Sequence, residues 1–176
     1  MKAEYRDYYI RDWQPDDRQT AADLIASVLM EYQLGGCDPT GADWDVLHVE
    51  QAYWQRGGEF WVVERNNKLV GTAAYYPIER GTNAVEIRKM YLLPSARGQG
   101  LGRYLLHQLE EAIVAKGFEQ IWIETASVLK EAVQLYEGNG YQPSSGVETA
   151  RCDRVYVKPI SQSRYADQNQ VNQKES

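Results

Sequence analysis

Residues 86–103 read Glu-Ile-Arg-Lys-Met-Tyr-Leu-Leu-Pro-Ser-Ala-Arg-Gly-Gln-Gly-Leu-Gly-Arg, and the reading of this stretch decides the fold. Its first half is rich in large apolar and aromatic residues and is expected to be a strand, stopped at Pro94. Arg97-Gly98-Gln99-Gly100-Leu101-Gly102 then leads into Tyr104, Leu105, Leu106, Leu109, Ala112 and Ile113, which recur at helical spacing until Lys116-Gly117. Three glycines in five positions let backbone amides crowd where a Cβ would obstruct, and a helix start adds unpaired N–H groups and its dipole. Such a place binds phosphate; a tight turn at a helix start is the competing reading of the glycines alone. The spacing excludes a P-loop, which needs Gly-x-x-x-x-Gly-Lys-Ser/Thr. It also excludes a dinucleotide fingerprint, which needs a third glycine after Gly100-x-Gly102 and an acidic residue about 20 positions on.

Outward from this stretch, residues 119–125 read as the next strand. A strand, a helix and a strand in close succession make a βαβ unit with a parallel pairing. Upstream, residues 59–64 and 68–76 are apolar, β-branched and aromatic and are joined at Arg65-Asn66-Asn67, the pattern of an antiparallel hairpin. A turn at residues 80–83 leads to the central strand. Earlier still, residues 8–13 read as a strand, Pro15-Asp16-Asp17 opens a helix reaching about Tyr32, and a shorter helix covers 46–55. The interval 33–45 is rich in breakers and carries Asp38, Asp43, Trp44 and Asp45, so it is either a solvated connection or a substrate loop. Downstream, residues 128–139 read as a helix and 151–158 as the last strand. From Ser161 onward the sequence is Ser, Gln, Asn and charge, which reads as a disordered polar tail, residues 161–176, behind a single domain over 1–160.

With 176 residues, 43% of them apolar, the chain can bury a sizeable core. A net charge of -6 argues against nucleic acid and anionic membrane surfaces. The two cysteines, Cys37 and Cys152, lie far apart and form neither a zinc motif nor a disulfide framework, so the reducing cytoplasm is the expected compartment. There is no apolar signal region, and no run approaches the length of a membrane span.

The stretch 97–102 resembles the Arg/Gln-x-x-Gly-x-Gly/Ala signature of the GNAT superfamily of N-acyltransferases, whose loop holds the pyrophosphate of coenzyme A. A second match, Ala132-Val133-Gln134-Leu135-Tyr136-Glu137-Gly138-Asn139-Gly140-Tyr141, resembles the family's Ala-x-x-Leu/Phe-Tyr-x-x-x-Gly-Phe/Tyr pattern. The element order β, α, α, β, β, β, α, β, α, β, β over residues 8–158 fits as well. The resemblance implies an α/β (α+β) fold: a mixed, mostly antiparallel sheet with a central, splayed parallel strand pair and helices on both faces. It further implies that Met90, Tyr91 and Leu92 offer backbone to the pantetheine arm. Arg97, Gly98, Gln99, Gly100, Leu101, Gly102 and Arg103 would surround the pyrophosphate, where a guanidinium suits phosphate oxygens.

By the same resemblance Tyr136 protonates the departing thiolate, which needs a donor of not much higher pKa with water excluded. The alternative for Tyr136 is a core residue on an amphipathic helix. One position departs from the family, Leu129 standing where an asparagine often contacts the pantetheine arm. A base for the amine is sought in Glu86 or Glu124, since a carboxylate in a mainly apolar strand should have a raised pKa; the choice stays open, and a salt bridge is the bland alternative for either. His48 and His107 read as surface residues.

The resulting expectation is an acyl-coenzyme A dependent N-acetyltransferase using acetyl-CoA and no metal, by direct transfer to a small-molecule or amino-acid-like primary amine. Alternatives are a protein lysine or N-terminal acetyltransferase, with a peptide amine as acceptor, and a non-catalytic acyl-CoA sensor. No nucleic acid or membrane partner is expected, and a homodimer is compatible with the reading. Asp38, Asp43 and Asp45 are expected to steer a cationic acceptor, with Trp44 and Tyr53 as its apolar or cation–π surface.

Overall fold

The computed structural model describes residues 2–160, so the tail read at 161–176 lies outside the described residues. The strands are β1 Ala3–Tyr5, β2 Tyr8–Asp12, β3 Glu59–Arg65, β4 Lys68–Ile78, β5 Ala84–Leu92, β6 Gln120–Thr125, β7 Gln142–Ser144 and β8 Arg154–Pro159. They form one sheet in the order β1-β2-β3-β4-β5-β6-β8-β7. The β5–β6 pair is parallel and its neighbours are antiparallel. The helices are α1 Arg18–Glu31, α2 Trp44–Leu47, α3 Val49–Ala52, α4 Leu101–Ala115 and α5 Lys130–Gly138.

Period-two alternation along β3 divides the interior between the two faces. Phe60 and Val62 pack with Ile25 and Leu29 of α1 and with Val46, Val49 and Tyr53, whereas Trp61 and Val63 join Leu105, Leu109 and Ile113 of α4 and Tyr136 of α5. Helices therefore cover both faces, as the family resemblance implied.

Two local readings change. A three-residue strand, β1, precedes the expected first strand and turns into it at Arg6, whose φ is +56°. Ala-Glu-Tyr is too short and too polar to announce a strand by pattern. The helix expected over 46–55 is broken into α2, α3 and a 3₁₀ turn at Trp54–Arg56. Fully buried Tyr53 packs edge-on against Phe60 and Tyr76 and donates to Asp45 at 2.5 Å, and these tertiary contacts override the helical periodicity.

The central strand carries the feature that positions the site. Opposite β4, Thr72 pairs with Tyr91 and Ala74 with Arg88, so Ala73 faces two residues, Lys89 and Met90. This is a β-bulge, and Lys89 sits in it at φ +52°, a conformation uncommon for a lysine. The Thr72 hydroxyl donates to the Lys89 carbonyl at 2.6 Å. The Lys89 ammonium donates to Asp43 and, at 3.1 Å, to the Ala42 carbonyl, and lies 3.3 Å from Asp45. Asp43 also accepts from Arg151 at 2.6 Å and from the Asp38 amide at 2.9 Å. Pairing of β5 with β6 ends at Ile87–Ile123, and beyond it residues 88–92 leave β6.

This cluster corrects the picture of three aspartates steering a cation. Asp43 is fully buried between two cations, Asp38 accepts hydrogen bonds from Thr40 and Gly41 of its own loop, and Asp45 is engaged by Tyr53 and Lys89. Tyr53, being fully buried, offers no cation–π surface to a ligand.

Burial works to raise the Asp43 pKa, but Lys89 and Arg151 outweigh it and hold the carboxyl below its usual value. Asp43→Asn leaves two cations without their shared carboxylate and should lower the unfolding free energy by about 3–5 kcal/mol in urea titrations near neutral pH. A lowered folded-state pKa contributes stability that is complete above the ordinary aspartate pKa and lost as pH falls. The gap between wild type and variant should therefore narrow on acidification; a gap below about 1 kcal/mol at neutral pH would show that the cluster does not anchor the bulge.

Candidate active site

The glycine loop takes the backbone conformations its composition permits. Gly98 and Gly100 have φ of +72° and +82°, and Gly100 caps the start of α4. A Cβ on Gly100 would lie 2.6 Å from the Tyr5 hydroxyl, which donates to the Gln99 carbonyl at 2.9 Å. The short first strand thus pins the loop. Gly102 lies in the first turn of α4, where a Cβ would approach Leu135 at 3.7 Å and Leu92 at 3.9 Å.

These glycines line a cavity of about 870 Å³ whose walls include Met90, Tyr91 and Leu92 of β5 and Ala132, Leu135 and Tyr136 of α5. The β5 wall is the stretch beyond the bulge, where pairing with β6 has ended, so among the described residues its backbone has no strand partner on that side. Arg103, exposed on the first turn of α4, lines the cavity as well. Arg97 lines it while committing its donors to exposed Glu31 at 2.6 and 2.8 Å and to the Leu92 carbonyl at 2.9 Å. Leu101 is a buried core residue.

A narrow throat of about 50 Å³ continues from this cavity between β5 and β6. Met90, Tyr91, Leu129, Ala132 and Tyr136 line both. Leu129 is thus an apolar wall at the position where the family pattern often has an asparagine. Burial, with minor contributions from Tyr91 and Cys152, raises the Tyr136 pKa, so its hydroxyl stays protonated at neutral pH. Burial likewise pushes the Cys152 thiol up to about 11, which leaves it a poor nucleophile.

On the far side of the throat lies a second cavity, of about 940 Å³, lined by Trp44, Tyr76, Trp122, Glu86, Glu124, Arg80 and Arg88 among others. The two carboxylates sit in opposite environments. Burial raises the Glu86 pKa, with Arg88 opposing, and its closest cation is Arg88 at 3.6 Å. Burial would raise Glu124 too, but the Glu148 and Thr149 amides donate to it at 2.8 Å each and Arg80 lies 3.3 Å away, and together they lower it. The expectation of a raised pKa therefore fits Glu86 and not Glu124, whose oxygens are committed to holding the loop after β7.

His48 stacks on Trp44 and His107 lies 3.0 Å from Asn139. The sequence reading missed Arg80, Arg88, Lys89 and Arg151 as site residues. Two of them, Arg88 and Lys89, stood out as charges within an otherwise apolar strand. Among the described residues no group of three or more His, Cys, Asp and Glu side chains could hold a metal ion, and no helix is long and apolar enough to cross a membrane.

Comparison with known proteins bears directly on this geometry. The chain is 35% identical over 128 residues to the uncharacterized N-acetyltransferase YjgM of Escherichia coli (strain K12), covering 72% of this chain and 77% of that protein. The crystal structure of an acetyltransferase from Streptococcus agalactiae 2603 superposes with a TM-score of 0.78 at 24% identity, covering 89% of this chain and 100% of that one. The spermidine N-acetyltransferase of Vibrio cholerae, solved with CoA and spermine, superposes with a TM-score of 0.66 at 19% identity over 92% and 99% of the two chains. The family model described as the acetyltransferase (GNAT) family matches residues 5–141, a span that contains the glycine loop, the splayed strand and Tyr136. The chain therefore belongs to the GNAT family of acetyltransferases, which take their acyl group from acetyl-CoA.

Proposed function

We propose that the protein transfers the acetyl group of acetyl-CoA to the primary amine of a small-molecule or amino-acid-like acceptor, by direct attack in the throat between β5 and β6. The observation that carries this reading is the run of two cavities through one throat, with Tyr136 bordering the donor side and Glu86 the acceptor side. The residues present fit the donor: Gly102 leaves open a wall that a side chain would fill, and the detached backbone of Met90, Tyr91 and Leu92 runs beside it. The loop of Arg97, Gly98, Gln99, Gly100 and Leu101, the helix start and Arg103 would hold the pyrophosphate. Acetyl-CoA supplies an activated thioester.

The chain's own groups then divide the proton chemistry. Glu86 takes a proton from the ammonium, which leaves a neutral nitrogen to form the new C–N bond as the C–S bond breaks. Tyr136 gives its proton to the departing sulfur, and the proton that the nitrogen sheds as the amide forms returns to Tyr136 through solvent. A raised pKa suits each role, since it makes Glu86 a better base and keeps Tyr136 protonated. Glu124, with its pKa lowered, serves to position the loop at 148–149. A compact throat favours a small amine over a lysine within a folded protein. Two free cysteines are consistent with the cytoplasm as the compartment.

Acetyl-CoA should raise the melting temperature of the wild type. Gly102→Val, at a site free of positive φ and of close contacts, should keep the fold and lose that shift; an undiminished shift would move the phosphate site elsewhere.

Tyr136→Phe should lower kcat by roughly 10²- to 10⁴-fold with little change in acetyl-CoA affinity, provided proton delivery limits turnover. A wild-type kcat across the pH range would make Tyr136 a core residue only.

Glu86→Gln should lower kcat/KM by a similar factor and remove the rise of kcat/KM with pH that the wild type shows as Glu86 ionises. Burial raises the Glu86 pKa, with Arg88 and Arg80 opposing and Glu124 and Glu148 adding to it, so the rise should lie above the ordinary carboxylate range. The sign for stability is the reverse: a carboxyl with a raised folded-state pKa costs stability as pH climbs past its unfolded value. Glu86→Gln should therefore be no less stable than wild type at neutral pH. A variant with full activity and an unchanged pH profile would remove Glu86 from the mechanism.

A further inference from the structure

We propose that the acceptor is an α-amino acid, or another compact amine carrying a carboxylate beside its nitrogen, and that Arg88 binds that carboxylate. The inference rests on the acyl-transfer reading above and narrows it.

Arg88 and Glu124 are the two residues that line both the throat and the acceptor cavity. Glu124 is committed to Arg80 and two backbone amides, so Arg88 sets the character of the floor. Its guanidinium donates to the Tyr76 hydroxyl at 2.7 Å and, at 3.4 Å, to the Ala42 carbonyl. The nearest carboxylates, Glu86 and Asp45, both lie at 3.6 Å, beyond hydrogen-bond reach. A guanidinium has five N–H donors in a fixed fork, and among the described residues this one engages two of them while its side chain is only 18% exposed. Donors largely removed from water on a residue that lines the cavity match the two oxygens of a carboxylate.

The surrounding charges point the same way. Asp43 is balanced by Lys89 and Arg151, and Glu124 by Arg80, while Asp45 is shared between Tyr53 and Lys89. Arg88 lies 3.6 Å from both Glu86 and Asp45, so Arg80, Arg88, Lys89 and Arg151 together balance Asp43, Asp45, Glu86 and Glu124, and once Glu86 has accepted the acceptor's proton this group carries a net positive charge. A substrate carboxylate restores the balance at that moment. In an α-amino acid the carboxylate and the nitrogen share one carbon, so seating the carboxylate on Arg88 brings the nitrogen towards Glu86, whose carboxylate is 3.6 Å from the same guanidinium.

A polyamine meets the opposite situation. Asp38, Glu79 and Glu148, which line the cavity, are exposed, and solvent and salt weaken their attraction for a cation. The reacting ammonium would instead have to settle beside Arg88, where a like charge opposes it.

The test measures thiol release from acetyl-CoA with matched acceptor pairs, phenylalanine against phenethylamine and methionine against 3-(methylthio)propylamine, with spermidine as a third class. The wild type should favour the amino acid of the better pair by at least about tenfold in kcat/KM. Arg88→Gln should bring that ratio close to one, and Arg88→Lys, which keeps the charge and loses the fork, should fall between. An acetyl-CoA-induced melting shift shows that each variant is folded; if Arg88→Gln is not, the wild-type ratio and Arg88→Lys decide. Amines or spermidine equal to or better than the amino acids in the wild type, or a ratio unchanged in a folded Arg88 variant, would overturn the inference. Thiol release with spermidine alone would overturn it while leaving acyl transfer intact. No release with any acceptor would overturn the acyl-transfer reading, and this inference with it.

Discussion

The architecture of the site depends on one backbone departure, the bulge at Lys89 in the middle of β5. A regular strand would have continued its parallel pairing with β6 past Ile87, closing the gap between them. The bulge instead turns the chain away, and the cost of a lysine at φ +52° is offset by the contacts it gains: Thr72 on its carbonyl, Asp43 and Asp45 on its ammonium. Those contacts reach the loop before α2, and Arg151 joins from the loop before β8. One buried cluster therefore ties together the detached strand and two loops beside the site. That is also why Asp43 cannot act as a solvent-facing charge.

The two candidate carboxylates illustrate how neighbouring strands produce different acids. Glu86 faces a largely dehydrated space with one loosely placed arginine, and burial dominates. Glu124, on the adjoining strand, receives two amide donors and a guanidinium, and these outweigh the burial that would raise it. Residue type and strand location were alike; what differed was the loop at 148–149 that folds over one of them. A base and a structural clamp are then assigned by environment, and this is the physical ground for preferring Glu86 in the proposed mechanism.

Much of the fold was legible in the sequence, because it rests on local signals: apolar, β-branched and aromatic runs at 59–64 and 68–76, a helical repeat after Gly102, and a strand-helix-strand succession that forces a parallel pair. The glycine loop was legible for the same reason, since two of its three glycines take positive φ. The features that escaped are set by contacts distant in sequence. Strand β1 is too short to show a pattern, yet Tyr5 reaches the loop 94 residues away. The break between α2 and α3 follows from burying Tyr53 against β3 and β4. The partners of Asp43 come from positions 89 and 151, and no spacing rule links them. Arg88 and Lys89 did stand out as charges in an apolar strand, a signal that could have been pursued as strongly as the carboxylates were.

The central claim is that the strand edge released by the bulge and the glycine loop together receive acetyl-CoA. Amide hydrogen exchange, measured on the wild type with and without saturating acetyl-CoA, tests it most directly because it reads the backbone groups themselves. The account predicts that added protection concentrates at residues 88–93 and 97–103, with much smaller changes in β2 and β3. Saturating acetyl-CoA that leaves both segments exchanging as in the free protein, or that protects a different part of the sheet, would contradict it.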